Sequence, residues 1–349
     1  MFRQKKDVVG IDIGSSSIKL VQLKEQKGAY QLQNLAIMTL PAEAIVDNTI
    51  MDTAGVVEAI KNLVRSVGSK AKEASCSISG NSVIIRKISF PTMTAEELED
   101  QIQWEAEQYI PFDINDVNMD FQVLSHDVDD PSKMNVLLVA SKKDIINDYL
   151  SVFAEAGLKL SVVDVDAFAV QNAFEMNYDT LPDEIVALVN IGASIMNINI
   201  VRGGTSLFTR DVQVGGNLYT EEIQKFLGVS TEEAENIKIT MGSGNDAVDR
   251  SVINRTNDMI ALEMHRSIDF FNSSGTEDKI SKVYLSGGCA KTSFLLDTVR
   301  ERLKIPVEII DPIRKVKFSQ KEFDEDYLKS VAPLVAVAVG LAARRAGDK

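Results

Sequence analysis

The first patterned stretch of the chain is VVGIDIGSSSIKLVQL, Val8 to Leu23. Apolar residues run up to Ile13, four small residues from Gly14 to Ser17 intervene, and the pattern resumes as Ile-Lys-Leu-Val-Gln-Leu. Val- and Ile-rich runs around a Gly-Ser cluster predict two strands joined by a hairpin turn at 14–17. The pattern returns in IVALVNIGASIMNINIVRGG, Ile185 to Gly204. Gly192 falls on Gly14, Ser194 on Ser16 and Val201 on Leu23, an offset of 178 residues. Each copy continues into a further strand-like run, AYQLQNLAIM and TSLFTRDVQV. Solenoid repeats recur every roughly 20–50 residues, so this spacing indicates two duplicated domains instead.

Helical periodicity appears between and after the copies. Thr94 with Glu97 predicts a capping box. Leu98, Ile102, Ala106 and Tyr109 then form one stripe, and Pro111 ends the helix. Trp104 lies off that stripe. HDVDDPSKMN, His126 to Asn135, reads as a hairpin loop, and Ser141 with Asp144 is expected to cap a second helix closed by Gly157. VAPLVAVAVGLAA, Val331 to Ala343, is the greasiest segment. It is shorter than the ~20 residues that cross a bilayer, so a buried core helix is expected.

Composition narrows the function classes. The chain has 349 residues, 45% hydrophobic and 25% charged, which suits a globular protein of about two domains. Lys+Arg 37 against Asp+Glu 51 leaves a net charge of -14. That argues against nucleic-acid binding, which needs a basic face, and against adhesion to anionic lipid. Cys76 and Cys289 are far apart, so a reducing compartment is the simpler expectation. His126 and His265 stand alone, without metal-ligand spacing. The N-terminal MFRQKKDVV has no apolar signal core, and a cytoplasmic location follows as the expectation.

The chemistry centres on the repeated hairpins. Asp12 stands beside the first turn, and a buried carboxylate is costly unless something pairs with it. Two facing Gly-Ser hairpins can offer backbone N–H groups and hydroxyls to an anion held between them. A Mg2+–phosphate group there would give Asp12 its partner. Other phosphate loops fail: in GGCAKTS, Gly287 to Ser293, the glycines required before Lys291 are replaced by Leu285 and Ala290. No G-x-G-x-x-G or G-x-S-x-G motif is present.

Five segments occur in a fixed order: DIGSSSIK (Asp12–Lys19), DVDAFAVQNAF (Asp164–Phe174), NIGAS (Asn190–Ser194), YLSGGCAKTSFL (Tyr284–Leu295) and APLVAVAVGLAAR (Ala332–Arg344). Together they resemble the phosphate 1, connect 1, phosphate 2, adenosine and connect 2 motifs of the actin-like ATPase fold. GGNLYTEEIQKFLGVSTEEAENIK (Gly215–Lys238) and the region Phe90–Leu124 are similar to the PilM family of type IV pilus assembly proteins, relatives of the division protein FtsA. The resemblance implies an α/β fold of two duplicated domains around a nucleotide cleft. Domain I would cover 1–180 and 331–349, with an α+β subdomain inserted at about 82–158. Domain II would cover 181–330, with an insertion at about 217–279.

Carried over by position, Gly14, Ser15, Ser16 and Lys19 would meet the phosphates of ATP on one side and Gly192, Ala193 and Ser194 on the other. Asp12 would hold Mg2+, and Gln171 would position a water. Gly215, Gly216, Glu235, Lys238, Gly287 and Gly288 would line the nucleoside side. The family usually has Asp where this chain has Asn190, so at most a slow ATPase is expected. The family's partner is the N-terminal cytoplasmic peptide of the inner-membrane protein PilN. That peptide would lie in a cleft between the phosphate 1 subdomain and the inserted one, walled here by parts of Val83–Ile88 and the helix from Thr94 to Tyr109. The resemblance also implies other pilus platform proteins and motor ATPases as partners, self-association, and a peripheral place at the inner membrane without an anchor of its own. AARRAGDK does not resemble the amphipathic tail of FtsA. Two rival readings are an FtsA-like filament protein and a small-molecule kinase of the same fold. The kinase would need an Asp base, for which Asp164 and Asp166 are candidates, although either could simply cap a helix.

Overall fold

The structure is a computed structural model describing residues 8–41, 43–46, 48–126, 130–240, 250–273 and 279–348. The first half opens with β1 (Val8–Ile13), β2 (Ser17–Gln26) and β3 (Ala29–Thr39), then a short hairpin of β4 (Ile45–Val46) and β5 (Thr49–Ile50). Helix α1 (Thr53–Ser66) and β6 (Glu73–Ile78) follow. Next come β7 (Val83–Pro91), α2 (Ala95–Ala106), β8 (Val117–His126) and β9 (Lys133–Lys142). Helix α3 (Lys143–Glu155), β10 (Lys159–Val165) and α4 (Asp166–Asn177) lead into the second half. There β11 (Ile185–Ile191), β12 (Met196–Arg202) and β13 (Thr205–Val212) precede α5 (Asn217–Leu227), α6 (Thr231–Thr240) and α7 (Arg250–Asn272). The chain continues through β14 (Lys282–Ser286), α8 (Leu295–Leu303), β15 (Val307–Ile309), α9 (Glu325–Val331) and α10 (Ala336–Ala343).

The duplication is explicit in the sheets. The first runs β3-β2-β1-β6-β10 and the second β13-β12-β11-β14-β15. In each, an antiparallel meander joins two parallel strands. The register is repeated as well: Asp12 stands opposite Lys19, and Asn190 opposite Asn197.

Helices α1 and α3 fill one face of the first sheet through Val56, Ile60, Tyr149, Val152 and Phe153. Helices α7 and α8 fill one face of the second through Ile260, Met264, Leu295 and Val299. Between the two sheets lie α4 and α10. Residues 336–342 of α10 are all buried, so the run Glu325–Ala343, long and apolar enough to cross a membrane by length and composition, ends as a core element. The crossing needs glycine. A Cβ on Gly340 would overlap the Ala169 carbonyl of α4, and one on Gly10 would overlap the backbone of α10.

The inserted region forms its own three-stranded sheet, β7-β9-β8, covered by α2. The capping box on Thr94 is present. Leu98, Ile102 and Ala106 are buried as the stripe predicts, but α2 stops at Ala106, so Ile110 takes the next inward place and Tyr109 is exposed. Trp104 is 76% exposed. The second helix lacks the expected cap: its N-cap is Lys142, without a side-chain bond, because β9 continues through Ser141. The insertion expected over 82–158 has its own core only over Ile84–Ala140, and α3 packs against the first sheet instead.

Candidate functional site

The two Gly-Ser turns face one cleft between the halves. Each is closed by the same hydrogen bond. Gly14 N donates to Ser17 O at 3.1 Å, and Gly192 N donates to Ile195 O at 2.9 Å. Asp12, Gly14, Ser15, Ser16, Lys19, Gly192, Ala193, Ser194, Gly287 and Gly288 all line this cleft. The strands bring the turns there because β1 and β11 occupy matching central places in their sheets.

The facing cross-strand pairs differ in charge. Lys19 Nζ lies 3.2 Å from Asp12 Oδ2, with both side chains largely buried. At the equivalent place Asn190 Nδ2 donates to Asn197 Oδ1 at 3.1 Å, and Ser286 Oγ donates to Asn190 Oδ1 at 3.2 Å. The carboxylate absent at position 190 is therefore matched by the absence of a lysine opposite. Asn197 in turn donates to Asp211 Oδ1 at 2.8 Å, and Gly80 N of the first half donates to Asp211 Oδ2 at 2.5 Å. This chain of bonds ties β13 to the junction from which the inserted subdomain leaves.

Backbone shape keeps the second turn narrow. A Cβ on Gly215 would come within 2.6 Å of the Gly192 and Ala193 carbonyls. Gly216 N donates to Gly192 O at 2.9 Å and Asn217 N to Ala193 O at 2.8 Å. Gly287 sits at φ 86°, against Ile191, a conformation that glycine adopts without a Cβ penalty. Gly288 has open space where its Cβ would be. Glu235 and Lys238 are not cleft-lining residues. They pair at 2.6 Å, and Lys238 also donates to Thr220 Oγ and the Gly216 carbonyl, which places them behind the second turn.

The expectation for Gln171 is corrected. It lies outside the cleft lining. Its amide donates to Glu175 Oε1 and the Gly204 carbonyl, both at 2.8 Å, and accepts from Asn199 Nδ2 at 2.9 Å. These bonds lock α4 to the β12–β13 hairpin and leave nothing to aim at a water. On the same helix, Asp166 does line the cleft. Its Oδ1 accepts from Ser77 Oγ at 2.5 Å. Burial chiefly pushes its carboxyl up to about 6, the Asp12 charge adds to this, and the Ser77 and Ser79 hydroxyls oppose it. Asp164 is turned elsewhere, 3.1 Å from Arg344 Nε. Neither acid caps α4, whose N-cap is Val165 with no side-chain bond.

Ser77, Ser79, Asn48 and Tyr149 also line the cleft and were not singled out from the sequence. The alternation in Ser77-Ile78-Ser79 was a usable signal: at the end of a buried strand it sets two hydroxyls on one side. An ATP–Mg2+ group fits this donor set. Narrow glycine turns offer backbone N–H groups, Lys19 is a cation, and Asp12 is a carboxylate that can hold Mg2+ or its water. Among the described residues there is no cluster of three or more His, Cys, Asp or Glu side chains for a metal.

A second opening lies in the inserted subdomain between α2 and β8. Its lining includes Glu99, Gln103, Asn115, Asp120 and Lys143. Five consecutive residues of β8, Val117 to Phe121, line it, and β8 is an edge strand. The two segments expected to wall the cleft between the phosphate 1 subdomain and the inserted one, Val83–Ile88 and the first inserted helix, share one core through Ile84, Ile88, Leu98, Ile102 and Ala106.

Comparison with known proteins agrees with this architecture. Residues 10–346 match the family described as type IV pilus assembly protein PilM. The structure superposes on a chain of a PilM-PilN type IV pilus biogenesis complex with a TM-score of 0.86, at 28% identity, covering 96% of this chain and 97% of that one. MreB5 of Spiroplasma citri bound to ADP shares the fold at TM-score 0.53 and 12% identity, over 96% of this chain and 94% of that one. By sequence, the cell division protein FtsA of Bacillus subtilis is 25% identical over 261 residues, 67% of this chain and 58% of that relative. The chain thus matches under two thirds of that relative's length. These likenesses establish an actin-like ATPase fold.

Proposed function

The chain belongs to the PilM family of type IV pilus assembly proteins, and we propose that it is an ATP-binding scaffold or switch of a pilus assembly platform. The observation that carries this reading is the pair of equivalent hairpins, closed by equivalent hydrogen bonds, facing one cleft. Gly14, Ser15 and Ser16 on one side and Gly192, Ala193 and Ser194 on the other hold the phosphates, with Lys19 as the cation and Asp12 on the Mg2+ side. Glu235 and Lys238 support the nucleoside side from behind Gly216. ATP favours a closed cleft by contacting both halves more fully than the open state allows.

The same reading supplies a partner. A PilN-like membrane protein recruits the chain to the inner membrane through a short cytoplasmic peptide. The groove between α2 and β8 suits an extended peptide, because an edge strand offers backbone groups and the flanking side chains select among residues. Glu99 and Asp120 favour a basic residue in that peptide, with an attraction that weakens as salt rises.

A thermal-shift panel with ATP, ADP and sugars, each with and without Mg2+, tests the ligand. Saturation at about 100 times Kd adds about 2.7 kcal/mol, which raises the midpoint by several degrees in domains of this size. A shift with a sugar and none with ATP would replace this reading with the kinase one. Membrane fractionation tests the tether: the chain should leave the membrane pellet when the partner's N-terminal segment is deleted.

A further inference from the structure

We propose that Asp211 is a positioning residue of the cleft: through Asn197 it fixes which end of the Asn190 amide faces β14, and so where a hydrated Mg2+–nucleotide finds an acceptor. The assignment rests on reading the cleft as an ATP site. Three observations carry it. First, the two halves place their carboxylate at opposite ends of one cross-strand row. In the first sheet the row is Asp12, Lys19 and Ile37, and in the second it is Asn190, Asn197 and Asp211. Second, the second row is a continuous relay. Asn190 Nδ2 donates to Asn197 Oδ1 at 3.1 Å, and Asn197 Nδ2 donates to Asp211 Oδ1 at 2.8 Å. Third, the ordinary explanation falls short. An acid on an edge strand such as β13 commonly just meets solvent, but Asp211 Oδ2 also accepts from Gly80 N of the other half at 2.5 Å.

Chemistry gives the relay one sense. An ionised carboxylate only accepts, whereas an amide accepts at its oxygen and donates at its nitrogen. Asp211 therefore turns the Asn197 nitrogen toward itself and the Asn197 oxygen toward Asn190. Asn197 is only 1% exposed, so water does not stand in for either partner. Asn190 must then turn its nitrogen to Asn197 and its oxygen to β14, where Ser286 Oγ donates to it at 3.2 Å. A carbonyl oxygen has two lone pairs, so one remains on Asn190, which lines the cleft with Gly287 and Gly288. Mg2+ keeps several of its waters, and those waters have only hydrogens to offer, so an acceptor suits them and an N–H does not. Gly80 N anchors the far end of the relay. It is a fixed backbone donor, so whatever side chain stands at 211 must turn an acceptor toward it.

The test uses the full chain, the near-isosteric variant Asp211→Asn, the variant Asn190→Asp, and the two combined. In Asp211→Asn the Gly80 N–H claims the oxygen of the new amide. Its nitrogen then faces Asn197, and the whole relay reverses with every bond still made. Two readouts are taken: the thermal midpoint of the nucleotide-free chain, and titration with ATP and ADP, with Mg2+ present and with the ion chelated. Asp211→Asn is expected to keep a midpoint close to that of wild type. The gain in ATP affinity on adding Mg2+ should shrink about fivefold, the scale of one hydrogen bond. Asn190→Asp sets a carboxylate against the Asn197 oxygen and should lower the midpoint. Adding Asp211→Asn to it should recover both the midpoint and the Mg2+ effect, a coupling that independent sites do not show. A Mg2+ effect in Asp211→Asn equal to that of wild type would overturn the assignment and leave the ATP reading intact. So would a double variant whose losses simply add, or a wild type that binds ATP with no Mg2+ effect. A wild type that binds neither ATP nor ADP would overturn both.

Discussion

Asp12–Lys19 and Asn190–Asn197 occupy the same register in the two halves, one as an ion pair and the other as an amide pair. Replacing Lys19 with Ala should weaken ATP binding by more than about 1.5 kcal/mol, the low end for a hydrogen bond to a charged group, as calorimetry would register. Asn190→Asp places a carboxylate opposite Asn197, where no lysine waits. It should lower the stability of the nucleotide-free protein, and it should tighten Mg2+-dependent ATP binding or raise turnover. Wild-type rates of several per second, common in enzymes, would contradict the view that the missing carboxylate limits hydrolysis. Asp166 gives a pH signature. Its folded value of about 6 lies above the ordinary 3.8, so the folded state holds the proton more tightly and stability falls as pH rises between the two values. Asp166→Asn should therefore raise the unfolding midpoint at pH 7, by about 1–3 kcal/mol of stability, and leave it unchanged below pH 4. Equal midpoints at both pH values would show that the carboxylate carries no strain. The sequence offered Gln171 for the water and Asp166 as a base in the rival kinase reading, and gave no sign of which side chain reaches the cleft. They stand five residues apart on one helix, and what separates them is a bond from Asn199 on another strand.

The elements themselves were legible wherever a local pattern decides the outcome. The hairpins, the Thr94 capping box and the buried closing helix follow from alternation, spacing and apolar length. Register and termination were less so. Ser141 with Asp144 resembles a cap, but β9 holds Ser141 in a strand paired to Val83 and Asn118. Tyr109 fits the helical stripe, but α2 ends before reaching it. The groove beside β8 was missed because the helix stripe shows what it covers, and the side left open depends on which strand lies at the edge. The crossing of α4 and α10 makes a sharp prediction. Gly340→Ala forces a methyl group into the Ala169 carbonyl. Backbone has little room to yield, so the loss should reach or exceed the roughly 1–3 kcal/mol of core overpacking. Denaturant titration would read this as a lower midpoint with an unchanged slope.

At the scale of the whole molecule, duplication explains why two turns meet. Each half brings the same strand end to the centre, and α4 with α10 holds the halves against each other at the base of the cleft. In the ATP complex proposed for this chain of net charge -14, Mg2+ would offset phosphate charge that Lys19 alone would not. ATP without Mg2+ should bind more weakly than the complex. The central claim is that the cleft between the paired hairpins is an ATP site, and an isothermal titration of the wild-type chain with ATP–Mg2+ tests it most directly. The account predicts saturable binding of one nucleotide per chain, weakened when Mg2+ is chelated. An absence of saturable heat with either ATP or ADP would contradict it.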